Sequence, residues 1–579
     1  MTKICGDASR FATSALHGYS LIHGDLVRMV RGGVVRSNPG RTGKVVVVVG
    51  GGSGHYPAFA GYVGPGFADA AVAGDIFASP STQAIHNVAK QADLGGGVIL
   101  GYGNYAGDVL NFGIAAERLR AEGIDTRVIA TTDDVASADA DHAEIRRGIA
   151  GDLSVFKIVG AAAEAGLSLD EVEAVAKRAN RNTQTFGVAF DGCTIPGAGE
   201  KLFEVPARRM ALGLGVHGEP GIAEEDIPSP DVLAGVLSER LLAEAPSDGR
   251  RRAAVVLNGL GSTKQEELFV LWEALELKLR EAGVTPIAPL VGEYVTSLDM
   301  AGCSLTITWL DEELERFWRA PVETAALHHA EIVGEPAAFV AVEEELPVEC
   351  AAATSQEGQN GGRCVADAMA HLADALAAHE AELGHIDALA GDGDHGQGMT
   401  RGSNAAAKAA RQAVERRAGA GTVLRIAADA WADRAGGTSG ALWGAGLHAF
   451  SGALDDEQRP DDAQLAKGAR AALETIMRLG GAKPGDKTLV DALVPFVETL
   501  EASLQAGQDI IAAWQAGSHA ARQAAEGTRD LLPRLGRAKM HGARSKGHPD
   551  AGALSLALCV ETIGDLLANA ATRTTPEAA

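Results

Sequence analysis

Five consecutive valines, Val45 to Val49, run from Lys44 into Gly50-Gly-Gly-Ser-Gly-His55. An uninterrupted β-branched run has no polar face to leave in water, so it predicts a strand buried on both sides, the setting of a parallel sheet. Glycines directly after such a strand place a loop at the carboxyl edge of the sheet, where open α/β sheets bind ligands. Taken alone, the loop reads equally as a tight strand-to-helix turn.

Apolar runs at 97–100, 126–130 and 186–189 alternate with Ala- and Glu-rich helical stretches at 112–122 and 169–180, the pattern of an α/β domain. A second strand-like set, 253–257 and 304–309, predicts another α/β lobe that closes near Ala320-Pro321. The first half is thus placed at 1–330, two lobes included. Residues 331–361 read as a linker, because acidic Glu343-Glu-Glu and a small, polar stretch follow one another there. From 362 to 579, apolar residues recur at three or four positions, as in Val365, Met369, Leu372 and Leu376, which predicts an all-α half.

The length of 579 residues agrees with three or four domain-sized units. The 51 Lys and Arg against 76 Asp and Glu leave a net charge of −25, which repels nucleic acid and anionic membranes. The six cysteines form no Cys-x-x-Cys pair, so neither a zinc ribbon nor a disulfide framework is indicated and the thiols are expected free. No apolar signal core opens the chain and no later apolar run is uninterrupted over a bilayer's width, so the expected location is cytoplasmic.

Four clusters can carry chemistry. His385-Ile-Asp387-Ala-Leu-Ala-Gly391-Asp392-Gly393-Asp394-His395-Gly396 gathers three carboxylates around a glycine turn. Its glycines match G-x-G-x-x-G formally, yet no strand precedes them and the aspartates would repel a pyrophosphate unless cations lay between. Hard oxygen ligands suit Mg²⁺ bridging to nucleotide phosphates, although an isolated Gly-Asp-Gly-Asp is more often a solvated turn. Gly436-Gly-Thr-Ser-Gly440 has the composition of an anion-binding helix start. No P-loop pattern occurs anywhere in the chain. In the first half, His55 and the Asp108 of Gly103-Asn-Tyr-Ala-Gly-Asp108 can form an acid–base pair if their strand ends are adjacent, and Gly213-Leu-Gly-Val-His217-Gly-Glu-Pro-Gly221 leaves room for a small molecule against an imidazole.

In this order the motifs resemble the dihydroxyacetone kinase family in its single-chain, ATP-dependent form, over essentially the whole chain. The resemblance implies that His217 holds a ketose carbonyl as a hemiaminal, that His55 and Asp108 act on the attacking hydroxyl, and that Gly52, Ser53 and Gly54 line the sugar site. It implies that Asp387, Asp392 and Asp394 coordinate two Mg²⁺ and that the second half is an α-helical barrel. It maps His395, Gly396, Gln397, Gly398, Thr438, Ser439, Leu489, Arg537, Asp550, Ala551 and Gly552 to the ATP-binding loops. The two halves are expected to meet, within the chain or across a homodimer, since phosphate and hydroxyl must approach closely.

Two departures bear on the substrate. Tyr56 stands where the family has Glu, and Gly103 where it has a Lys that contacts the ketose. Loss of that long cation is expected to open space for a longer ketose, which adds D- and L-erythrulose to dihydroxyacetone as candidates. Two other readings stand beside the kinase: cleavage of flavin adenine dinucleotide to cyclic flavin mononucleotide at the same metal site, and a ketose sensor without catalysis, which the intact aspartate trio disfavours. A phosphoenolpyruvate-linked variant usually has its halves on separate chains, so fusion favours ATP as donor.

Overall fold

The computed structural model describes residues 4–330, 350–535, 539 and 542–574. These divide into two compact units, parted near residue 337, each described by itself.

The first unit contains two sheets. One has six strands, β1 (Val27–Val30), β2 (Gly33–Arg36), β3 (Val46–Ser53), β4 (Ala70–Ile76), β5 (Val98–Gly103) and β6 (Thr126–Thr131), in the order β1-β2-β4-β3-β5-β6. Strands β4, β3, β5 and β6 are parallel, while β1 and β2 form an antiparallel hairpin at the edge. The valine run becomes β3, and Val46 to Val49 have no exposed surface. Its side chains alternate between two cores: Val47 and Val49 pack on one face with Phe156 and Val159, Val46 and Val48 on the other with Ile85, Val88 and Phe112. Helices α1 (Phe11–Ile22), α2 (Thr82–Ala92), α3 (Ala106–Ala121), α4 (Gly151–Ala165) and α5 (Leu169–Arg181) accompany this sheet.

The second sheet comprises β7 (Thr183–Asp191), β8 (Arg209–Leu212), β9 (Ala223–Asp226), β10 (Arg252–Gly259), β11 (Thr285–Pro286), β12 (Leu290–Gly292) and β13 (Ala301–Trp309). Its long strands β10, β13 and β7 are antiparallel neighbours. Here the structure differs from the sequence reading, which grouped 186–189 with the first lobe. Alternation of apolar segments does not reveal which sheet a strand joins. β7 joins the second through β13, where Thr183 meets Thr308 at 2.9 Å and Thr185 meets Thr306 at 2.8 Å through their hydroxyls. Helices α6 (Pro230–Ala243) and α7 (Gln265–Glu281) pack against this sheet with Leu237, Leu241, Leu271 and Leu275 inward, and α8 (Glu312–Trp318) follows.

The second unit is helical throughout its described residues: α9 (Gln356–Ala378), α10 (Glu380–Ala390), α11 (His395–Glu415), α12 (Ala420–Ala435), α13 (Gly437–Ser451), α14 (Asp462–Gly480), α15 (Val490–Gln505), α16 (Ile510–Gly527) and α17 (Ala551–Thr574). Of the segment read as a linker, 331–349 lies outside the described residues, and α9 starts six residues before 362. Ser355 explains that start, because its hydroxyl caps the helix by accepting from the Gly358 N–H. The helices surround an apolar cavity of about 190 Å³ lined by Met369, Leu372, Trp443, Phe450 and Trp514 among others. α17 is long and apolar enough to cross a membrane by composition. Half of it is buried inside the unit, and its Glu561 pairs with Arg522, the behaviour of a core helix.

Candidate active site: a histidine pair and an acidic loop

Two parallel strands, β3 and β5, deliver their carboxyl ends to one cavity in the first unit. Its wall includes Gly51, Gly52, His55, Tyr105, Asp108, Asp152 and His217. The turn after β3 requires glycine twice. Gly54 has φ +108°, and a Cβ on Gly52 would lie 2.8 Å from the Ala78 nitrogen.

Beyond that turn the chain is fastened to the second lobe. The Leu298 N–H donates to the Gly54 carbonyl at 2.8 Å and the Thr296 hydroxyl to the Tyr56 carbonyl at 2.8 Å. His55, 4% exposed, has its Nδ1 2.8 Å from the Thr296 carbonyl. A carbonyl only accepts, so Nδ1 carries the proton and Nε2 turns its lone pair into the cavity. Phe77 stacks on the ring at 5.1 Å. Burial, reinforced by the neighbouring His217, pushes the His55 pKa down to about 3, so the ring is neutral at pH 7.

His217 arrives from the loop after β8. Its Nδ1 lies 2.9 Å from Glu219 Oε1, and its backbone N–H donates to Oε2 at 3.0 Å. The carboxylate therefore fixes the second tautomer too, leaving His217 Nε2 as a lone pair 3.1 Å from His55 Nε2. Burial works against ionisation of Glu219, but the hydrogen bonds it accepts from the His217 ring and backbone N–H prevail and hold its pKa down to about 2. Arg147 lies 3.9 Å from Glu219 and is itself anchored on Asp134 at 2.7 Å.

Asp108, 8% exposed, sits in the first turn of α3 and accepts from the Ser79 hydroxyl at 2.8 Å. Burial raises its pKa against that hydrogen bond, which moves the carboxylate toward the range of a general base. The structure thus brings together His55, Asp108, His217 and Gly52. Ser53 and Gly54 instead line a larger neighbouring cavity of about 370 Å³, to which Gly52 also contributes, and the Ser53 hydroxyl donates to the Gly74 carbonyl at 2.7 Å. Gly103 does not simply leave a void: a Cβ there would lie 3.1 Å from the Gly148 carbonyl oxygen and 3.3 Å from the Tyr105 ring. Sequence reasoning did not single out Glu219, Tyr105, Thr296 or Asp152. The first two lie inside the quoted motifs, whereas Thr296 and Asp152 have no local signal.

In the second unit, one carboxylate oxygen from each of Asp387, Asp392 and Asp394 falls within 4.8 Å of the others. The turn that gathers them is built around Asp387, whose Oδ2 accepts the Gly393 N–H at 2.9 Å. A Cβ on Gly391 would meet Asp387 Oδ1 at 2.4 Å and displace that carboxylate, and Gly393 has φ +81°, which favours glycine. Hard, exposed oxygens at this spacing fit Mg²⁺.

Contacts draw the other loops to the same end of the unit. His395 Nε2 lies 2.9 Å from the Ser555 hydroxyl, which joins the start of α11 to that of α17. Gly396 packs on the Glu380 carbonyl, and a Cβ on Gly398 would stand 3.3 Å from the carbonyl of Ala435, just before Gly436-Gly-Thr438-Ser439 opens α13. Gly552 abuts Leu489, and Asp550 caps α17 by accepting from the Ala553 N–H at 2.8 Å. Ala551 begins that helix, and Gln397 is exposed on the first turn of α11. Burial, with the charges of Asp491 and Asp387 beside it, pushes Asp550 up to about 7 against the Ala553 hydrogen bond and Lys487. Arg537 lies outside the described residues. The buried Lys487, which motif reasoning passed over, donates to the carbonyls of Ser545 at 2.7 Å and His548 at 2.8 Å.

Known proteins are similar to this chain along its whole length. Residues 17–326 match the Dak1 domain and 389–565 the DAK2 domain. The chain is 52% identical to a D-erythrulose kinase of Mycolicibacterium smegmatis, with 98% of each chain covered. It is also 52% identical to an L-erythrulose kinase of Pectobacterium atrosepticum, covering 99% of this chain and 98% of that one. Among solved structures it is similar to the dihydroxyacetone kinase from C. freundii in complex with AMP-PNP and Mg²⁺, at 28% identity and a TM-score of 0.59, covering 98% of this chain and 99% of that one. With both domains matched in one polypeptide and full-length relatives at this identity, the chain belongs to the dihydroxyacetone kinase family.

Proposed function

We propose that the protein is an ATP-dependent kinase of short ketoses, with D- or L-erythrulose as its substrate beside dihydroxyacetone, held as a hemiaminal on His217. The observation that carries the covalent step is the 2.9 Å contact between His217 Nδ1 and Glu219. It leaves Nε2 as a nucleophile facing the cavity that also contains His55 and Asp108. Attack forms an Nε2–C bond and opens the carbonyl π bond. The carbonyl oxygen gains one proton and the ring loses one from Nδ1, and ionised Glu219 stabilises the positive charge that builds on the ring meanwhile. A carbonyl is what separates a ketose from glycerol, so this bond selects the substrate class.

Asp108 then takes the proton of the hydroxyl whose oxygen attacks the γ-phosphorus of ATP, as the bond to the ADP oxygen breaks. His55, neutral and fixed by Thr296, offers Nε2 to the same bound sugar. Asp387, Asp392 and Asp394 would hold two Mg²⁺, which when bound neutralise charge on the nucleotide phosphates and on the group in transfer. His395 to Gly398, Thr438, Ser439, Leu489 and Asp550 to Gly552 would surround the nucleotide at that end of the helices. The identity to D- and L-erythrulose kinases supports the tetrulose reading. Family resemblance alone supports a homodimer, which light scattering tests; the cytoplasmic location expected from the sequence is tested by fractionation.

The deciding experiment measures Mg²⁺-dependent ATP consumption with dihydroxyacetone, D-erythrulose, L-erythrulose and glycerol, alongside His217→Ala. Turnover of a ketose, none of glycerol, and a severely impaired variant are expected. Absence of ketose turnover with nucleotide still bound would remove the kinase assignment.

A further inference from the structure

One carboxyl on the cavity wall has no part in the chemistry above. Asp152 is the second residue of α4, is 3% exposed, and lines the same cavity as His55, Asp108 and His217. Its Oδ1 is bonded to the Thr131 hydroxyl at the end of β6, and no described hydrogen bond or ion pair uses Oδ2. Beside it the wall is bare backbone. A Cβ on Gly148 would stand 2.4 Å from the Thr131 hydroxyl and 2.5 Å from the Gly103 Cα, so glycine at 148 is what lets β5, the 148 loop and the Thr131–Asp152 pair come together. Burial and the adjacent Asp133 hold the Asp152 pKa well above the carboxylate range, with the Thr131 hydrogen bond too weak to reverse it. A neutral carboxyl has one O–H and one C=O, which suits a sugar hydroxyl and suits neither a cation nor an anion.

The polar inventory of the cavity then matches a four-carbon ketose. His217 takes the carbonyl, and Asp108 together with His55 takes the attacked hydroxyl. Dihydroxyacetone has one hydroxyl left and a tetrulose has two. The remaining polar side chains on the wall are Asp152 and Tyr105, and the Tyr105 hydroxyl is buried with no hydrogen-bond partner. A buried phenol without a partner loses free energy that a bound hydroxyl restores. We propose that Asp152 is a specificity-determining residue, whose carboxyl hydrogen-bonds a hydroxyl that a four-carbon ketose carries beyond those of dihydroxyacetone. The inference rests on the ketose kinase reading and names the part of the site that selects chain length. A carboxyl in the first turn of a helix can also serve α4 alone, and the two roles differ in what they do to substrate preference.

The test uses the full chain as wild type, Asp152→Ala and Asp152→Asn. It compares kcat/KM for dihydroxyacetone, the preferred erythrulose and that erythrulose's two monodeoxy analogues, lacking the C3 or the C4 hydroxyl. In wild type, an analogue that keeps the phosphorylated hydroxyl is expected to fall by ~10-fold or more below erythrulose, the scale of a lost hydrogen bond to a buried polar group. Asp152→Ala should lower erythrulose by a similar factor, leave dihydroxyacetone within about threefold, and abolish the discrimination against that analogue. Asp152→Asn, neutral and able to donate and accept, should keep the erythrulose to dihydroxyacetone ratio within about threefold. Equal losses on both substrates in Asp152→Ala, or a preserved ratio, would overturn the proposal. So would a wild type indifferent to both missing hydroxyls, which refutes it even if Asp152→Ala does not fold. If wild type phosphorylates no ketose at all, the kinase reading itself fails, a distinguishable result.

Discussion

The Nε2 atoms of His55 and His217 face one another at 3.1 Å across their shared cavity, each ring held from behind by an acceptor on its Nδ1. With both outer nitrogens protonated, this contact is a hydrogen bond only when the pair carries one extra proton. In the tautomers that these acceptors fix, the two lone pairs oppose each other and gain by turning to a substrate instead.

Removing the anchor of one ring separates nucleophilicity from packing. Glu219→Ala is expected to reduce kcat/KM for the ketose by ~10²-fold or more, because both tautomers of His217 then compete and the cation formed on attack loses its counter-ion. Nucleotide and Mg²⁺ affinity, measured by calorimetry, should stay unchanged, since the acidic loop is in the other unit. Native mass spectrometry of the intact protein with ketose, without a reductant, reads whether the adduct persists.

Asp108 supplies the pH dependence. Its pKa is raised, so as pH falls the base form is lost at a higher pH than for an ordinary aspartate, whereas His55 near 3 and Glu219 near 2 do not change charge in that window. A kcat/KM profile should therefore show an acid limb at higher pH than an ordinary aspartate would give, rising to a plateau. Asp108→Asn should erase the limb and lower kcat by ~10²- to 10⁴-fold, the usual worth of a general base. A limb unchanged in that variant would move the base elsewhere.

The acidic loop is expected to behave as one unit. Asp392→Asn, which leaves the Gly393 N–H to Asp387 contact intact, should weaken Mg²⁺ or Mn²⁺ binding by ~10-fold or more in a calorimetric titration, and chelation should abolish ATP consumption without unfolding the helices. Wild type should gain thermal stability with Mg²⁺ and nucleotide together, and the variant less.

Lys157 tests the packing beneath the site. It is buried, with Nζ donating to the Phe317 and Ala320 carbonyls at 3.0 Å each, and burial lowers its pKa to about 8. The unfolded chain therefore takes up a proton between pH 8 and the ordinary lysine value, so stability rises as pH increases through that window and is flat below it. Lys157→Met removes this slope and strands two carbonyls, at a cost of ~2–4 kcal/mol in denaturant unfolding.

Much of this was legible in the residues. Valines 45 to 49 announced a strand buried on both faces, and the glycines around His55, Asp108, His217 and the aspartate trio marked where backbone had to bend. Order along the chain also placed a helical half after an α/β half. What was not legible depends on pairing across long separations. Nothing near 186–189 says that the strand pairs with Ala301–Trp309, nothing near Thr296 says that its carbonyl will hold an imidazole 241 residues away, and Asp152 looks like any acidic residue opening a helix. Gly103 illustrates the limit from the other side. Its missing side chain suggested open space, yet Tyr105 and the Gly148 carbonyl already crowd the direction a Cβ would take.

The turn after β3 is bonded to residues 296–298 through Gly54, His55 and Tyr56 in succession. That seam makes the imidazole of His55 a gauge of alignment: the first lobe sets where its backbone begins and the second sets how its ring is rotated. Neither lobe can drift against the other without turning the ring that faces His217, so the proposed site is assembled only when the two sheets are in register.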